Sequence, residues 1–158
     1  MIEKDFHNNK YERELQKSPA DIFNYRVNVF PHFENLIGTK ISGSVLDLGC
    51  GNGCAGIWLA QNREVRKVTC LDSSDVAIKK LVPRNAKYFE VQETISPVLG
   101  DFSNIGDAPT FDFIIAFGSL HRSPCLYTTL NSITKSLKPD GYLIAHEPSM
   151  QNTTKHQY

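Results

Sequence analysis

Residues 45–53, Val-Leu-Asp-Leu-Gly-Cys-Gly-Asn-Gly, join a short apolar run to three glycines at alternate positions. The apolar run predicts a buried parallel strand. The glycines allow the next loop to bend sharply and approach a ligand closely, because no Cβ is in the way. The helix predicted after this loop directs its amino terminus at the same place. Asp47 would lie in the ligand crevice at the carboxyl end of the strand. A carboxylate there suits a ligand that carries a positive charge.

A second acid, Asp72, ends the next predicted strand. A carboxylate in that position can accept both hydroxyls of a ribose, so it indicates a nucleoside ligand without deciding which one. Residues 51–56 also match the G-x-G-x-x-G dinucleotide pattern. An NAD(P)-dependent oxidoreductase is therefore one alternative. Asp47 argues against it, because a carboxylate beside a pyrophosphate is electrostatically unfavourable.

Three segments together resemble a known family. Asp47 to Gly53 resembles motif I of the class I S-adenosylmethionine-dependent methyltransferases. Gly100-Asp101 resembles the motif after the third strand of that family, and the run 111–121 resembles its fourth strand with a histidine in the following loop. The resemblance covers about residues 44–147 and implies S-adenosylmethionine as the cofactor.

The resemblance also implies a role for individual residues. It implies that Asp47 binds the ammonium group of the methionine moiety and that the loop 49–53 lies against the ribose and methionine of the cofactor. It places Asp101 on the adenine amino group, with Phe102 beside the base. His121, just past the fourth strand, is the predicted catalytic residue, able to orient an acceptor or remove its proton. The predicted cofactor-binding residues are Asp47, Gly49, Cys50, Gly51, Gly53, Asp72, Ser73, Asp101, Phe102 and Phe117.

Strand and helix signals alternate from residue 44 onwards, which predicts a Rossmann-like α/β fold with helices on both faces of a parallel sheet. The predicted strands are 44–48, 67–72, 96–100, 112–117 and 141–146, and the predicted helices are 54–62, 74–82, 84–91 and 124–137. Pro97 cannot donate to a ladder, so the third strand is expected at an edge. The resemblance implies the strand order 3-2-1-4-5, which has the same edge. The last helix is predicted to begin with Ser123 as its N-cap and Pro124 at its first position.

The chain is predicted to divide into a helical lead-in or lid, residues 1–43, and a single methyltransferase core, residues 44–158. In the lead-in, Ser18 is expected to cap a helix that Pro31 then breaks or kinks. Tyr11, Tyr25 and Arg26 are candidate lid residues.

The core is expected to be short at its carboxyl end, because the family places a helix and two strands after the fifth strand and residues 148–158 cannot supply them. The fifth strand would then have an open edge. Such an edge invites pairing with another chain, so a homo-oligomer, a partner subunit or the folded-back tail 151–158 is expected to cover it.

Composition narrows the classes of partner. The 17 Lys and Arg balance the 17 Asp and Glu, and no basic stripe predicts a nucleic-acid surface. No apolar run approaches the ~20 residues of a membrane helix, and residues 1–5 do not resemble a signal peptide. A cytoplasmic protein without membrane contact is therefore expected. The four cysteines form no C-x-x-C pair, so buried reduced thiols and no metal site are expected.

The predicted reaction is methyl transfer to an oxygen or nitrogen of a small-molecule acceptor. The chain has no N-P-P-Y or D-P-P-Y motif, which disfavours methylation of adenine amino groups in nucleic acid. Pro124-Cys125 is better interpreted as a helix start than as the nucleophile of a cytosine methyltransferase. Two alternatives stay open, the NAD(P)-dependent oxidoreductase and a non-catalytic S-adenosylmethionine-binding subunit.

Overall fold

Five parallel strands form one sheet in the computed structural model, which describes residues 2–23, 25–102, 105–106 and 110–148. The strands are β1 (Gly43–Leu48), β2 (Val65–Asp72), β3 (Ile95–Leu99), β4 (Phe111–Phe117) and β5 (Leu137–His146). Within this part of the chain their order is β3-β2-β1-β4-β5, and every neighbouring pair is parallel. The predicted Rossmann-like class and strand order are confirmed.

The helices connect the strands and flank the sheet. They are α1 (Ile2–Glu14), α2 (Phe30–Ile37), α3 (Cys54–Ala60), α4 (Val82–Tyr88) and α5 (Leu126–Ser136), with 3-10 turns at Pro19–Ile22, Tyr25–Val29 and Leu120–Arg122. A wider π turn, Ala77–Leu81, leads directly into α4. The two helices predicted at 74–82 and 84–91 are thus one continuous helical stretch. Pro83 lies in the first turn of α4, directly after the π turn.

Alternate residues of the central strands point into two separate cores. Val45 of β1 packs in a cluster with Ile57 of α3. Its neighbour Leu46 joins Ile114 of β4 and Ile133 of α5 in a second cluster. Because successive side chains of a strand point to opposite faces, these two clusters lie on opposite faces of the sheet. Helices therefore cover both faces, as predicted.

The third strand lies at one edge of the sheet. Pro97 pairs with Cys70 of β2 on its inner side, so its missing N–H interrupts no second ladder. The prediction that β3 is an edge strand is confirmed. At the other edge lies β5, where Tyr142 is 37% exposed. Assembly with another chain through that edge stays a prediction, and the tail 151–158 lies outside the described residues.

The lead-in differs in detail from the prediction. Ser18 does act as an N-cap, and its hydroxyl accepts the backbone N–H of Ala20, but the element that it begins is a 3-10 turn of four residues. Pro31 breaks nothing, because it lies in the first turn of α2, where the backbone N–H has no partner within the helix.

The start of α5 was predicted wrongly. The helix begins at Leu126 with Cys125 as its N-cap residue. Ser123 does not cap it, because the Ser123 hydroxyl pairs with the Thr129 hydroxyl at 2.8 Å. Cys125 itself is exposed, whereas Cys50 and Cys70 are buried and all four cysteines are free thiols. Cys54 is only partly buried. The expectation of buried thiols therefore holds for Cys50 and Cys70 and fails for Cys125.

Candidate functional site

The loop after β1 is hydrogen-bonded to β2 and packs against Ser119 and Phe102. The backbone N–H groups of Gly49 and Cys50 both donate to the carbonyl of Leu71, at 2.8 and 3.0 Å. Gly49 has φ 73°, and a Cβ there would lie 2.5 Å from Cβ of Ser119 and 3.2 Å from the ring of Phe102. Neither the backbone conformation nor the space admits a side chain. The residue must be glycine for the ends of β1, β3 and β4 to meet.

Asp72 holds the far side of this loop. Its Oδ2 accepts the backbone N–H of Gly51 at 2.9 Å, and its Oδ1 accepts that of Ser74 at the same distance. The residue is only 7% exposed. Each carboxylate oxygen has more than one lone pair, so these bonds leave capacity for two hydroxyl donors. Asp72 therefore orders the loop in addition to its predicted role at the ribose.

Asp47 lies deeper, beneath the amino terminus of α3. It is 2% exposed, and its Oδ2 accepts the backbone N–H of Gly56 at 2.8 Å. Burial raises the pKa of this carboxyl to about 7, the charge of Asp72 adds to the rise, and the bond from Gly56 opposes it. A group poised in this way changes its charge readily when a cation approaches it.

The residues after β3 complete the edge of the site. Asp101 is exposed at the carboxyl end of that strand, and Phe102 is partly buried with its ring against Gly49. Ser73, after β2, is also exposed. The structure thus brings the acids from the ends of β1, β2 and β3 to one edge of the sheet, around the glycine loop.

Two predicted side chains have other surroundings. Cys50 is buried, and its thiol lies near the thiol of Cys70, inside the core. The ring of Phe117 stacks on that of Phe30, with 5.0 Å between the ring centroids, and its centroid lies 5.6 Å from that of the His146 ring. Cys50 is therefore placed to face a ligand with its backbone. Phe117 forms the wall behind the lip of the site, the loop that follows β4. Cofactor contact by either residue stays a prediction.

Helix α1 covers the loop. A Cβ on Gly51 would lie 3.1 Å from the hydroxyl oxygen of Tyr11, which is 7% exposed. Burial raises the pKa of Tyr11 above its ordinary value, and the nearby charge of Asp72 raises it further. Asn52 donates to Glu14 at 3.0 Å, so the same helix also holds the loop by a side-chain bond. The side chains of Tyr25 and Arg26, the other candidate lid residues, lie outside the described part of the structure.

His121 lies at the lip, in the 3-10 turn after β4, and its side chain is 43% exposed. Its Nδ1 is 2.7 Å from Oε2 of Glu147, the residue that directly follows β5. On the other side of the ring, Nε2 accepts from Nε of Arg122 at 3.3 Å. Oε1 of Glu147 accepts the backbone N–H groups of Ser119 and Leu120. The imidazole is thus held at the same edge of the sheet as the glycine loop.

A family model described as a methyltransferase domain matches residues 40–158 of the chain. The chain belongs to this family. The sequence-based prediction that the chain is a class I S-adenosylmethionine-dependent methyltransferase domain is confirmed, and S-adenosylmethionine is the cofactor of the domain. The match favours this cofactor over the NAD(P) of the oxidoreductase alternative.

Individual relatives of this methyltransferase domain act on different kinds of acceptor. The chain is 27% identical over 101 residues to malonyl-[acyl-carrier protein] O-methyltransferase of Priestia megaterium, covering 64% of the chain and 35% of that protein. It is 25% identical over 105 residues to ribosomal RNA large subunit methyltransferase G of Photobacterium profundum, covering 63% of the chain and 28% of that protein. The chain thus spans about a third of the length of these curated relatives.

Solved structures share the fold. A putative S-adenosyl-L-methionine-dependent methyltransferase from Methanococcus maripaludis superposes with a TM-score of 0.69 at 24% identity, covering 90% of this chain and 63% of that one. Identity at this level supports the architecture alone.

The residues of the methyltransferase domain fit its cofactor. Carboxylates at the ends of successive strands can meet a cationic amine, a pair of ribose hydroxyls and an exocyclic amine. The glycine loop leaves its backbone open to close approach. Among the described residues, no three His, Cys, Asp or Glu side chains lie together as a metal site. None of the helices described is long and apolar enough to cross a membrane.

Sequence reasoning missed Ser119 and Glu147 as parts of the site. Ser119 is 3% exposed and its hydroxyl donates to the carbonyl of Leu48 at 2.7 Å, which ties the ends of β1 and β4 together. Nothing in the local sequence marks this contact. Glu147 had a usable signal, because it is an acid at the carboxyl end of a strand, as Asp47 and Asp72 are.

Proposed function

We propose that this chain is an S-adenosylmethionine-dependent methyltransferase that acts on an oxygen or nitrogen of a small-molecule acceptor, with His121 as the general base. The position of His121 carries the proposal. Its imidazole is partly exposed at the carboxyl edge of the sheet, where the glycine loop and the acids of the predicted cofactor site also lie. A base there can reach an acceptor that approaches from solvent.

The chemistry asks little of the protein beyond placement. The bound cofactor supplies a methyl group on a positively charged sulfur, which is already activated toward nucleophiles. The chain contributes the acids and glycine loop that hold the cofactor, the ring of His121 that takes the acceptor's proton, and a cover that keeps water out. Tyr11 and α1 supply that cover in this proposal.

A small acceptor is favoured over RNA by charge. The chain has no net charge at neutral pH, whereas binding to a phosphate backbone depends on clustered Lys and Arg. The relative named as a ribosomal RNA methyltransferase makes RNA the appropriate second arm of the test.

The test is a transfer assay with S-adenosylmethionine labelled in its methyl group. The acceptor pool is either a cell extract filtered free of macromolecules or total RNA. We expect label to enter the small-molecule pool, and His121→Ala to lower that rate by about 10²-fold or more. Label entering only RNA would contradict the substrate class. Full activity in His121→Ala would remove the base.

The non-catalytic alternative gives a different pattern. A binding subunit would bind S-adenosylhomocysteine in calorimetry but transfer no methyl group to either pool. Addition of a cell extract that contains candidate partner proteins would then restore transfer. This pattern would replace the proposed activity while keeping the cofactor.

A further inference from the structure

One carboxylate, that of Glu147, organises the lip of the candidate site. Its Oε1 accepts the backbone N–H of Ser119 at 2.9 Å and that of Leu120 at 2.8 Å. Its Oε2 lies 3.4 Å from the backbone nitrogen of His121 and 2.7 Å from Nδ1 of the same residue. Glu147 follows the last residue of β5, so a side chain at the end of one strand fixes both the loop after its neighbour β4 and the ring on that loop.

Glu147 is a carboxylate in this setting. Partial burial works to raise its pKa, but the hydrogen bonds from the His121 ring and from the backbone of Leu120 and Ser119 outweigh it and leave the pKa below its ordinary value. An ionised carboxyl group can only accept hydrogen bonds. The short contact to Nδ1 of His121 therefore requires a proton on Nδ1.

The other ring nitrogen leads to the same assignment. Nε2 of His121 lies 3.3 Å from Nε of Arg122. A guanidinium group is a donor only, so Nε2 must be the acceptor and carry a lone pair. The carboxylate on one side requires a proton on Nδ1, and the guanidinium on the other requires a lone pair on Nε2, so the two contacts together fit the Nδ1–H tautomer. The Arg122 contact is long for a hydrogen bond and is readily exchanged for an acceptor's O–H or N–H.

We propose that Glu147 is a positioning residue that fixes His121 in the Nδ1–H tautomer and so makes Nε2 the proton acceptor of the methyl transfer. This proposal rests on the function proposed above. The acceptor's O–H or N–H bond breaks and its proton moves to Nε2. The electron pair left on the acceptor forms the new bond to the methyl carbon, and the pair of the broken C–S bond stays on sulfur. The imidazolium that results is stabilised by the carboxylate of Glu147, 2.7 Å away.

Glu147→Gln separates positioning from folding. The carbonyl oxygen of glutamine can still accept from Ser119 and Leu120, so the loop keeps its shape. The amide NH₂ can only donate, so it would take the lone pair of Nδ1 and leave the proton on Nε2. We expect turnover to fall by about 10²-fold or more, with affinity for S-adenosylhomocysteine and the melting temperature close to wild type. The matched control is Glu93→Gln, an exposed glutamate away from the site, which should keep wild-type turnover.

A direct readout of the tautomer needs no acceptor and no turnover. Long-range ¹H–¹⁵N spectra of the neutral imidazole distinguish a protonated nitrogen from one with a lone pair, and His121→Ala identifies the signal among the five histidines. We expect Nδ1 to carry the proton in the wild type and Nε2 to carry it in Glu147→Gln. A wild-type ring protonated at Nε2, or one that averages freely between the two forms, would overturn the proposal, and so would wild-type turnover in Glu147→Gln.

The positioning role of Glu147 and the role of His121 as base are tested separately by these experiments. If the spectra show the fixed tautomer and His121→Ala keeps full turnover, Glu147 positions the ring but the proposed base is wrong. If His121→Ala loses turnover and the tautomer is not fixed, the base stands and the role of Glu147 is wrong.

Discussion

Two buried carboxylates at the glycine loop do different work. Asp72 accepts two backbone N–H groups, from Gly51 and Ser74, and so orders the loop. Asp47 accepts one, from Gly56, at a place that is almost wholly closed to water. The difference follows from depth, because desolvation disfavours a charge that too few hydrogen bonds compensate. Asp47 is thus the residue whose charge should respond to the cofactor.

Cofactor affinity should depend on pH through Asp47. Its pKa in the folded chain is about 7, so below that pH the carboxyl is protonated and must lose its proton before it can pair with an ammonium group. We expect the affinity for S-adenosylhomocysteine to fall by about tenfold for each pH unit below 7. Calorimetry in buffers of different ionisation enthalpy should also detect the released proton.

Asp47→Asn is the matched variant for this linkage. It cannot ionise, so its affinity should be lower at neutral pH and should lack the proton release. A wild-type affinity that is flat below pH 7 would show that Asp47 does not meet the ammonium group.

At the level of elements, α1 is fastened to the rest of the chain by a few polar bonds around Tyr11. The hydroxyl of Ser74, which is fully buried, donates to Asn8 at 2.6 Å. Lys80 pairs with Glu12 at 2.7 Å, but both side chains are about half exposed. Buried hydrogen bonds contribute more than exposed ion pairs. The bond between Asn8 and Ser74 should therefore contribute more than the ion pair to holding α1 in place.

Asn8→Ala should loosen α1 by about 1 kcal/mol, because it leaves the buried hydroxyl of Ser74 without its acceptor. Amide hydrogen exchange should become faster in α1 and unchanged in β1 and β4. Lys80→Ala is the control and should have a smaller effect. Equal protection of α1 in wild type and Asn8→Ala would mean that apolar packing, not this bond, holds the helix.

The strands were predictable from sequence because each is an apolar run bounded by turn residues, and all five appear within a few residues of the prediction. The early part of β5 was missed because Lys138, Pro139, Asp140 and Gly141 are typical of a turn. In the structure these residues belong to β5, and the register of its pairing with β4 shifts between Phe111 and Phe113. The start of α5 was missed because a tertiary partner, Thr129, takes the hydroxyl of Ser123.

The site was predictable where one strand and its own loop form it, as at Asp47 and the glycines. The site was not predictable where distant segments of the chain meet, as in the contact of Tyr11 with Gly51 or that of Glu147 with His121. Those contacts depend on the closeness of β4 to β5 and on the path of α1, which no local pattern encodes.

In the molecule as a whole, the two ends of the sheet differ in function. The carboxyl end carries the candidate site. At the amino end, Asp112 of β4 accepts the backbone N–H of Ser44 at 2.7 Å and the ammonium of Lys138 at 2.9 Å, which joins β1, β4 and β5. These contacts support a structural role for Asp112. Burial opposes its ionisation, but these bonds and the charge of Arg66 lower its pKa below the ordinary value.

Asp112→Asn should lower the free energy of unfolding at neutral pH by roughly 1 kcal/mol, a modest value because the carboxylate is partly exposed. The sign of the pH dependence follows from the lowered pKa. The contribution is fully present above the unfolded value of 3.8 and is lost as the pH falls through the folded one. Urea titrations should therefore show a gap between wild type and Asp112→Asn that closes in acid. A gap that is constant with pH would contradict this assignment.

We expect the cofactor to bind where the ends of β1, β2 and β3 meet, and calorimetry with two ligands can decide this. S-adenosylhomocysteine and NAD are titrated separately into wild type, Asp72→Ala and Asp112→Asn, with thermal melts to verify that each variant is folded. We expect S-adenosylhomocysteine to bind wild type and Asp112→Asn equally and to bind Asp72→Ala about 1–3 kcal/mol more weakly, because hydrogen bonds to a charged group are lost. Binding of NAD without S-adenosylhomocysteine, or an unchanged affinity in Asp72→Ala, would contradict the account.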